Sequence, residues 1–169
     1  NYFAYGISDK GSDWQHIHIA DVATGKQLDD ELKYCKFASI SWSVDNKGFF
    51  YTRYPEPKQA TNSLGSETEV NENQAVYYHK INTKQEEDVL VFKNSDHPQW
   101  MYGVETTDDG NYLILTTSES TARVNRFYVA HLNSTGDGPL FKAGEDGLIV
   151  VDKIIDNFDA EYDYLTNDG

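Results

Sequence analysis

The sequence predicts an all-β protein made of repeated antiparallel units, a partial β-propeller. An aspartate-bearing turn runs directly into an aromatic strand at 45–51 and again at 108–114, and truncated copies of this pattern stand at 1–5 and 166–169. Equivalent positions recur every 47 to 63 residues, the period of a unit of about four strands. Runs rich in Tyr, Phe, Val, Ile and Thr are broken about every eight to twelve residues by Gly, Asp, Asn or Pro, and no long amphipathic helix is visible.

The expected strands follow in order along the chain. A first, partial blade has strands at 2–7, 14–20 and about 25–32; a complete blade at 37–42, 48–54, 74–81 and 87–93; a third near 101 and at 112–117, 126–132 and 148–155; and 161–166 opens a fourth. The predicted boundaries are therefore 1–36, 37–97, 98–160 and 161–169, with long loops at 55–73 and 133–147. A propeller typically needs four to eight blades to close, so we expect the chain to be part of a longer protein.

The first strand of the complete blade alternates in a way that predicts how the blades pack. Its apolar residues point to one face and its serines to the other: Ala38, Ile40 and Trp42 against Ser39, Ser41 and Ser43. Small residues on one face allow a neighbouring blade to approach closely.

Charge and cysteine content restrict the classes of partner and the compartment. The chain carries 28 acidic and 14 basic residues, a formal charge of −14, which disfavours binding to nucleic acid or to an anionic membrane. No apolar stretch approaches the roughly 20 residues that span a bilayer. The only cysteine, Cys35, cannot form an internal disulfide, so a reducing, cytoplasmic location is expected and Cys35 is interpreted as a structural thiol.

Motifs for catalysis or cofactor binding are missing from the sequence. No Gly-x-Ser-x-Gly elbow occurs, the nearest approach being at 6–8, and no glycine-rich phosphate loop is present. His16 and His18 share a strand face but have no third ligand at a suitable spacing, so zinc is not predicted. The turns at 107–110 and 144–147 lack the ligand pattern of a calcium loop, and their aspartates are expected to hydrogen-bond their own backbone. We therefore predict no cofactor, no metal and no catalytic residue within this chain.

Six segments characterise this protein more specifically than the periodicity of its sequence does. They are GSDW (11–14), KFASISW (36–42), KGFFYTRYP (47–55), PQWM (98–101), VNR (124–126) and IIDNFDAEYDY (154–164). In order and spacing they resemble the propeller of the prolyl oligopeptidase family, and the resemblance covers essentially the whole chain. It implies a cytosolic serine peptidase that cleaves short peptides after proline, built from an α/β-hydrolase domain capped by a seven-bladed propeller.

This resemblance implies that the chain corresponds to about blades two to four of the cap. The catalytic Ser, Asp and His would lie in the hydrolase domain, outside this chain, and the chain alone would be inactive. The implied partners are short proline-containing peptides and the enzyme's own hydrolase domain. The cap would gate access to the catalytic cavity and contribute side chains to the substrate pocket.

The resemblance also implies particular pocket residues. Phe37 and Met101 match apolar residues that line the pocket for the substrate residue upstream of proline. From the sequence alone, packing between blades is the favoured interpretation of both residues. Ser118 and Thr121 depart from an arginine and a cysteine found in many family members, which places the pocket's specificity in question. Asp13 matches an acidic residue near the cavity, although an exposed turn aspartate would explain it as well.

Two other functions remain open at this point. A non-catalytic propeller could serve as a scaffold that binds proteins on one face. A macrocyclase or peptide-ligase variant of the same family would share this region of sequence.

Overall fold

The computed structural model describes residues 1–8, 12–56, 71–133 and 140–168, which form three antiparallel sheets. The first contains β1 (Tyr2–Ser8), β2 (Trp14–Asp21) and β3 (Gln27–Lys36); the second contains β4 (Ile40–Trp42), β5 (Gly48–Arg53), β6 (Ala75–Lys80) and β7 (Val89–Phe92); the third contains β8 (Met101–Thr106), β9 (Tyr112–Ser118), β10 (Arg126–His131) and β11 (Asp152–Ile155). Strands that are consecutive in the chain are neighbours within each sheet. Apart from one 3₁₀ turn at Gln85–Glu87, these residues contain no helix, so the predicted all-β, unclosed fold is confirmed.

Three predicted strand positions need correction. The strand expected at 161–166 is not formed, because that segment has no neighbouring strand to pair with among the described residues. The strand expected from 37 begins only at Ile40, since Phe37 has a left-handed backbone with φ of 50°. The strand expected from 148 begins at Asp152, because Ile149 instead bridges to Ala143. The loops expected at 55–73 and 133–147 fall partly on residues 57–70 and 134–139, outside the described residues.

Two apolar clusters fill the spaces between the sheets, and β5 contributes to both. Phe49 and Tyr51 pack against Ile17 and Leu32 of the first sheet, whereas Phe50 belongs to the cluster shared with the third sheet. Successive side chains of a strand point to opposite faces, so a strand covered on both sides is apolar at every position. All three aromatic side chains of β5 are fully buried, which makes this strand the centre of the described structure.

A serine face joins the second and third sheets, as the alternation predicted. Ser39 Oγ accepts a hydrogen bond from the Val104 amide (3.1 Å) and donates one to the Val104 carbonyl (3.0 Å). Two residues further on, Ser41 Oγ accepts from the Thr106 amide (2.7 Å). The segments at 39–41 and 104–106 therefore run parallel, and β4 and β8 begin at the same end of the sheets.

A buried ionic network joins the first and second sheets. His79 on β6 contacts Asp30 of β3 through Nε2 (2.9 Å) and Asp88 through Nδ1 (2.7 Å). The Tyr51 hydroxyl donates to Asp88 (2.6 Å) and the Asn82 amide donates to Asp30 (2.7 Å). Burial alone would lower the pKa of His79, but the two carboxylates outweigh it and raise that pKa. The His79 imidazole, held between two carboxylates, thus connects neighbouring sheets.

The turn aspartates have the structural role that the sequence predicted. Asp109 Oδ1 accepts the Thr107 hydroxyl (2.6 Å) and the Asn111 amide (3.0 Å), and these bonds lower the pKa of Asp109 to about 2. Asp146 Oδ1 accepts the Leu148 amide (3.0 Å) in the same way. Each carboxylate fixes its own turn.

Candidate functional site

Phe37 is presented to solvent at the entrance to the second sheet. Its side chain is 65% exposed, so it does not pack between sheets in the described structure. Lys36 pairs with Trp14 in the first sheet, and the Lys36 ammonium lies 5.5 Å from the ring centres of both Trp14 and Phe37. A left-handed backbone at a bulky residue costs about 1–3 kcal/mol, and such strain is concentrated at binding and catalytic sites.

Asp13 lies beside the same lysine. Its carboxylate is 3.7 Å from Lys36 Nζ, and its side chain is 60% exposed while that of Lys36 is 17% exposed. The lysine is therefore held between two aromatic rings and one carboxylate. The exposed carboxylate adds negative charge beside Lys36.

Met101 lies at the start of the third sheet. It is the first residue of β8, is partly buried, and pairs with Ser118, the last residue of β9. Thr121 is exposed in the turn that follows β9. The family positions Met101, Ser118 and Thr121 thus lie together at one end of the third sheet.

A buried amide shows that Phe37 and Met101 lie at the same end of the structure. Gln74 is 2% exposed and bonds to residues next to each of them: its Nε2 donates to the Lys36 carbonyl (3.4 Å), and its Oε1 accepts the Tyr102 amide (2.6 Å). This agrees with the parallel course of β4 and β8. The structure therefore brings Phe37, Met101, Ser118, Thr121 and Asp13 to one end of the sheets.

Gln74 carries no recognisable motif in the sequence, although a repeated signal marks it. Asn125 immediately precedes β10 as Gln74 precedes β6, and it is also buried. Its amide donates to the Tyr162 carbonyl (3.0 Å) and its carbonyl accepts the Tyr162 amide (2.6 Å). In both places, a buried side-chain amide immediately before the third strand of a sheet thus bonds to the segment that follows that sheet in the chain.

The other residues considered for metal binding or nucleophilic catalysis make structural contacts. His16 contacts Glu31 (3.1 Å) and His18 contacts Gln27 (3.1 Å). Cys35 is fully buried, and burial raises the pKa of its thiol to about 12, which suppresses the reactive thiolate. Within the described ranges, His, Cys, Asp and Glu form no group of three or more that could hold a metal ion. No helix in the described part of the chain is long and apolar enough to cross a membrane.

The geometry at this end suits binding rather than catalysis. It offers an aromatic ring and a thioether to an apolar group, with a carboxylate nearby, on a framework of propeller blades.

Comparison with known proteins gives the same architecture. The family model described as "Prolyl oligopeptidase, N-terminal beta-propeller domain" matches residues 1–169. Prolyl oligopeptidase A of Amanita bisporigera is 40% identical over 180 residues, covering 99% of this chain, and prolyl endopeptidase of Elizabethkingia meningoseptica is 37% identical over 150 residues, covering 88%. The structure of prolyl oligopeptidase B of Galerina marginata, bound to a 35mer hydrolysis and macrocyclization substrate, superposes with a TM-score of 0.78 at 35% identity over 99% of this chain and 23% of that one.

These matches, together with the three antiparallel sheets, define part of a β-propeller domain of the kind found in this class of peptidase. The chain belongs to the prolyl oligopeptidase family, within its N-terminal propeller domain. It spans 23% of the Amanita protein and 20% of the Elizabethkingia protein.

Proposed function

We propose that this chain is the propeller segment of a serine endopeptidase that hydrolyses short peptides on the C-terminal side of proline. In this enzyme the segment gates entry to the catalytic cavity and lines part of the substrate pocket. The catalytic residues belong to a hydrolase domain outside this chain, so the segment alone is inactive. We place the enzyme in the cytoplasm, in keeping with the single cysteine of this chain.

One observation carries the pocket assignment. Phe37 is a large apolar side chain that is 65% exposed, has a left-handed backbone and lies at the same end as Met101. An aromatic ring held in this way contributes nothing to the cores between sheets. Its exposure is accounted for by contact with a ligand or with the hydrolase domain, and the two side chains form the pocket wall for the residue upstream of proline.

The polar residues at this end modify that pocket. The Asp13 carboxylate makes the electrostatic potential at the pocket entrance more negative. Ser118 and Thr121 stand where many family members have an arginine and a cysteine, so this pocket lacks their cationic donor and their soft apolar contact. The structure of prolyl oligopeptidase B of Galerina marginata holds a 35mer substrate, which supports entry of longer peptides into the same architecture. No feature of the described residues favours a non-catalytic scaffold.

The test is Phe37→Ala in the full-length protein. Removing part of an aromatic contact worth about 1–2 kcal/mol raises KM about 5- to 30-fold for peptides with a bulky apolar residue before proline, with little change in kcat. Peptides with glycine at that position are affected much less. Phe3→Ala is a matched control, since Phe3 is also exposed (59%) but lies on β1. Unchanged kinetics in Phe37→Ala would remove Phe37 from the pocket.

A further inference from the structure

We infer that Gln74 is a positioning residue for the substrate pocket, an inference that rests on the function proposed above. Its amide fixes the separation between the two pocket side chains, Phe37 and Met101, which belong to different sheets. Gln74 itself does not touch the substrate.

The contacts of Gln74 span the junction between the sheets. Through the Lys36 carbonyl it holds the residue before Phe37, and through the Tyr102 amide it holds the residue after Met101. These two backbone positions are separated by 66 residues in sequence and have no strand pairing with each other. Each pocket residue is therefore one peptide unit away from the same buried amide.

The neighbouring residue strengthens this link. Asn73 has a left-handed backbone with φ of 64°, and its amide donates to the Pro98 carbonyl (2.6 Å) in the segment that leads into β8. Two consecutive residues thus tie the entrance of β6 to the segment that carries Met101. A Gln side chain is needed to reach both backbone partners, because Asn is shorter by one methylene.

The other links in this junction lie farther from the pocket. Ser39 bonds to Val104 and Ser41 to Thr106, so Ser41 holds the far end of β8. Removing Ser41 Oγ deprives the same junction of a comparable backbone hydrogen bond without affecting the residues beside Phe37 and Met101. Ser41 therefore separates a positional effect from a general loosening of the junction.

The experiment compares Gln74→Leu, Gln74→Glu and Ser41→Ala in the full-length enzyme. Gln74→Leu removes both bonds and raises KM about three- to tenfold for peptides with a bulky residue before proline, with kcat and the KM for the glycine peptide nearly unchanged. Gln74→Glu keeps the acceptor for the Tyr102 amide but loses the donor to the Lys36 carbonyl, so it also raises KM for the bulky peptide. Ser41→Ala lowers the melting temperature but leaves KM unchanged.

Three results would overturn the inference: an unchanged KM in Gln74→Leu, an equal rise in Ser41→Ala, or a wild-type KM in Gln74→Glu. Should Gln74→Leu not accumulate as folded enzyme, Gln74→Asn is judged by the same criteria. Phe37→Ala separates this inference from the proposed function. If Phe37→Ala raises KM and the Gln74 variants do not, only the role of Gln74 fails; if Phe37→Ala has no effect, the pocket assignment itself fails.

Discussion

Replacing His79 by alanine should loosen the junction between the first and second sheets. The imidazole is fully buried and holds two carboxylates, Asp30 and Asp88, whose side chains are 2% and 0% exposed. Its removal takes one charge-assisted hydrogen bond from each carboxylate, worth about 1.5–3 kcal/mol apiece. Breaking a buried ion pair from one side costs about 3–5 kcal/mol, so the two magnitudes agree.

Hydrogen exchange measured by mass spectrometry on the full-length protein reports this loss locally. A loss of at least about 3 kcal/mol lowers the protection of amides in β3 and β6 by about 100-fold or more. His16→Ala is the matched control, because His16 also contacts a carboxylate, that of Glu31, but both side chains are partly exposed (34% and 41%). An exposed pair contributes about 0–1 kcal/mol. Equal and small effects of the two variants would refute the reasoning about burial.

Three further predictions concern single groups. Because the folded-state pKa of His79 is raised, its contribution to stability is complete below about pH 6.5 and is lost as the pH rises through that raised pKa; calorimetry should show this decline in wild type and not in His79→Gln. Gly110→Ala should lower the melting temperature far more than Gly25→Ala: both glycines have positive φ, but only at Gly110 would the new Cβ lie 2.6 Å from Val44 Cβ, and equal losses would contradict this. Cys35, with its pKa raised to about 12, should resist iodoacetamide at about pH 8 until the protein is unfolded, and rapid labelling of the native protein would contradict its burial.

Repetition and alternation predicted most of the fold. The repeated turn and aromatic strand give the number of sheets, and the Ser39 and Ser41 alternation gives the face that the third sheet contacts. These features depend on local sequence patterns, which a single chain displays directly. The strand expected at 161–166 failed because pairing depends on a neighbour, which local propensity does not provide.

Only part of the candidate site could be predicted from the sequence. Phe37 and Met101 were identified through resemblance, whereas the residues alone favoured packing between blades. Gln74 and His79 were missed because their partners are distant in sequence: Gln74 bonds to Lys36 and Tyr102, and His79 bonds to Asp30, 49 residues away. The one signal for Gln74 in the sequence was that an amide side chain recurs before the third strand of the next unit, at Asn125. Only the structure shows which groups these amides bond.

The most direct test is a crystal structure of the full-length protein, with its catalytic serine replaced, bound to a short proline-containing peptide. The account predicts that the residue upstream of proline contacts both the Phe37 ring and the Met101 thioether, with side-chain atoms within about 4.5 Å. A peptide bound at the opposite end of the sheets, beside the turns that contain Asp45 and Asp109, would contradict it.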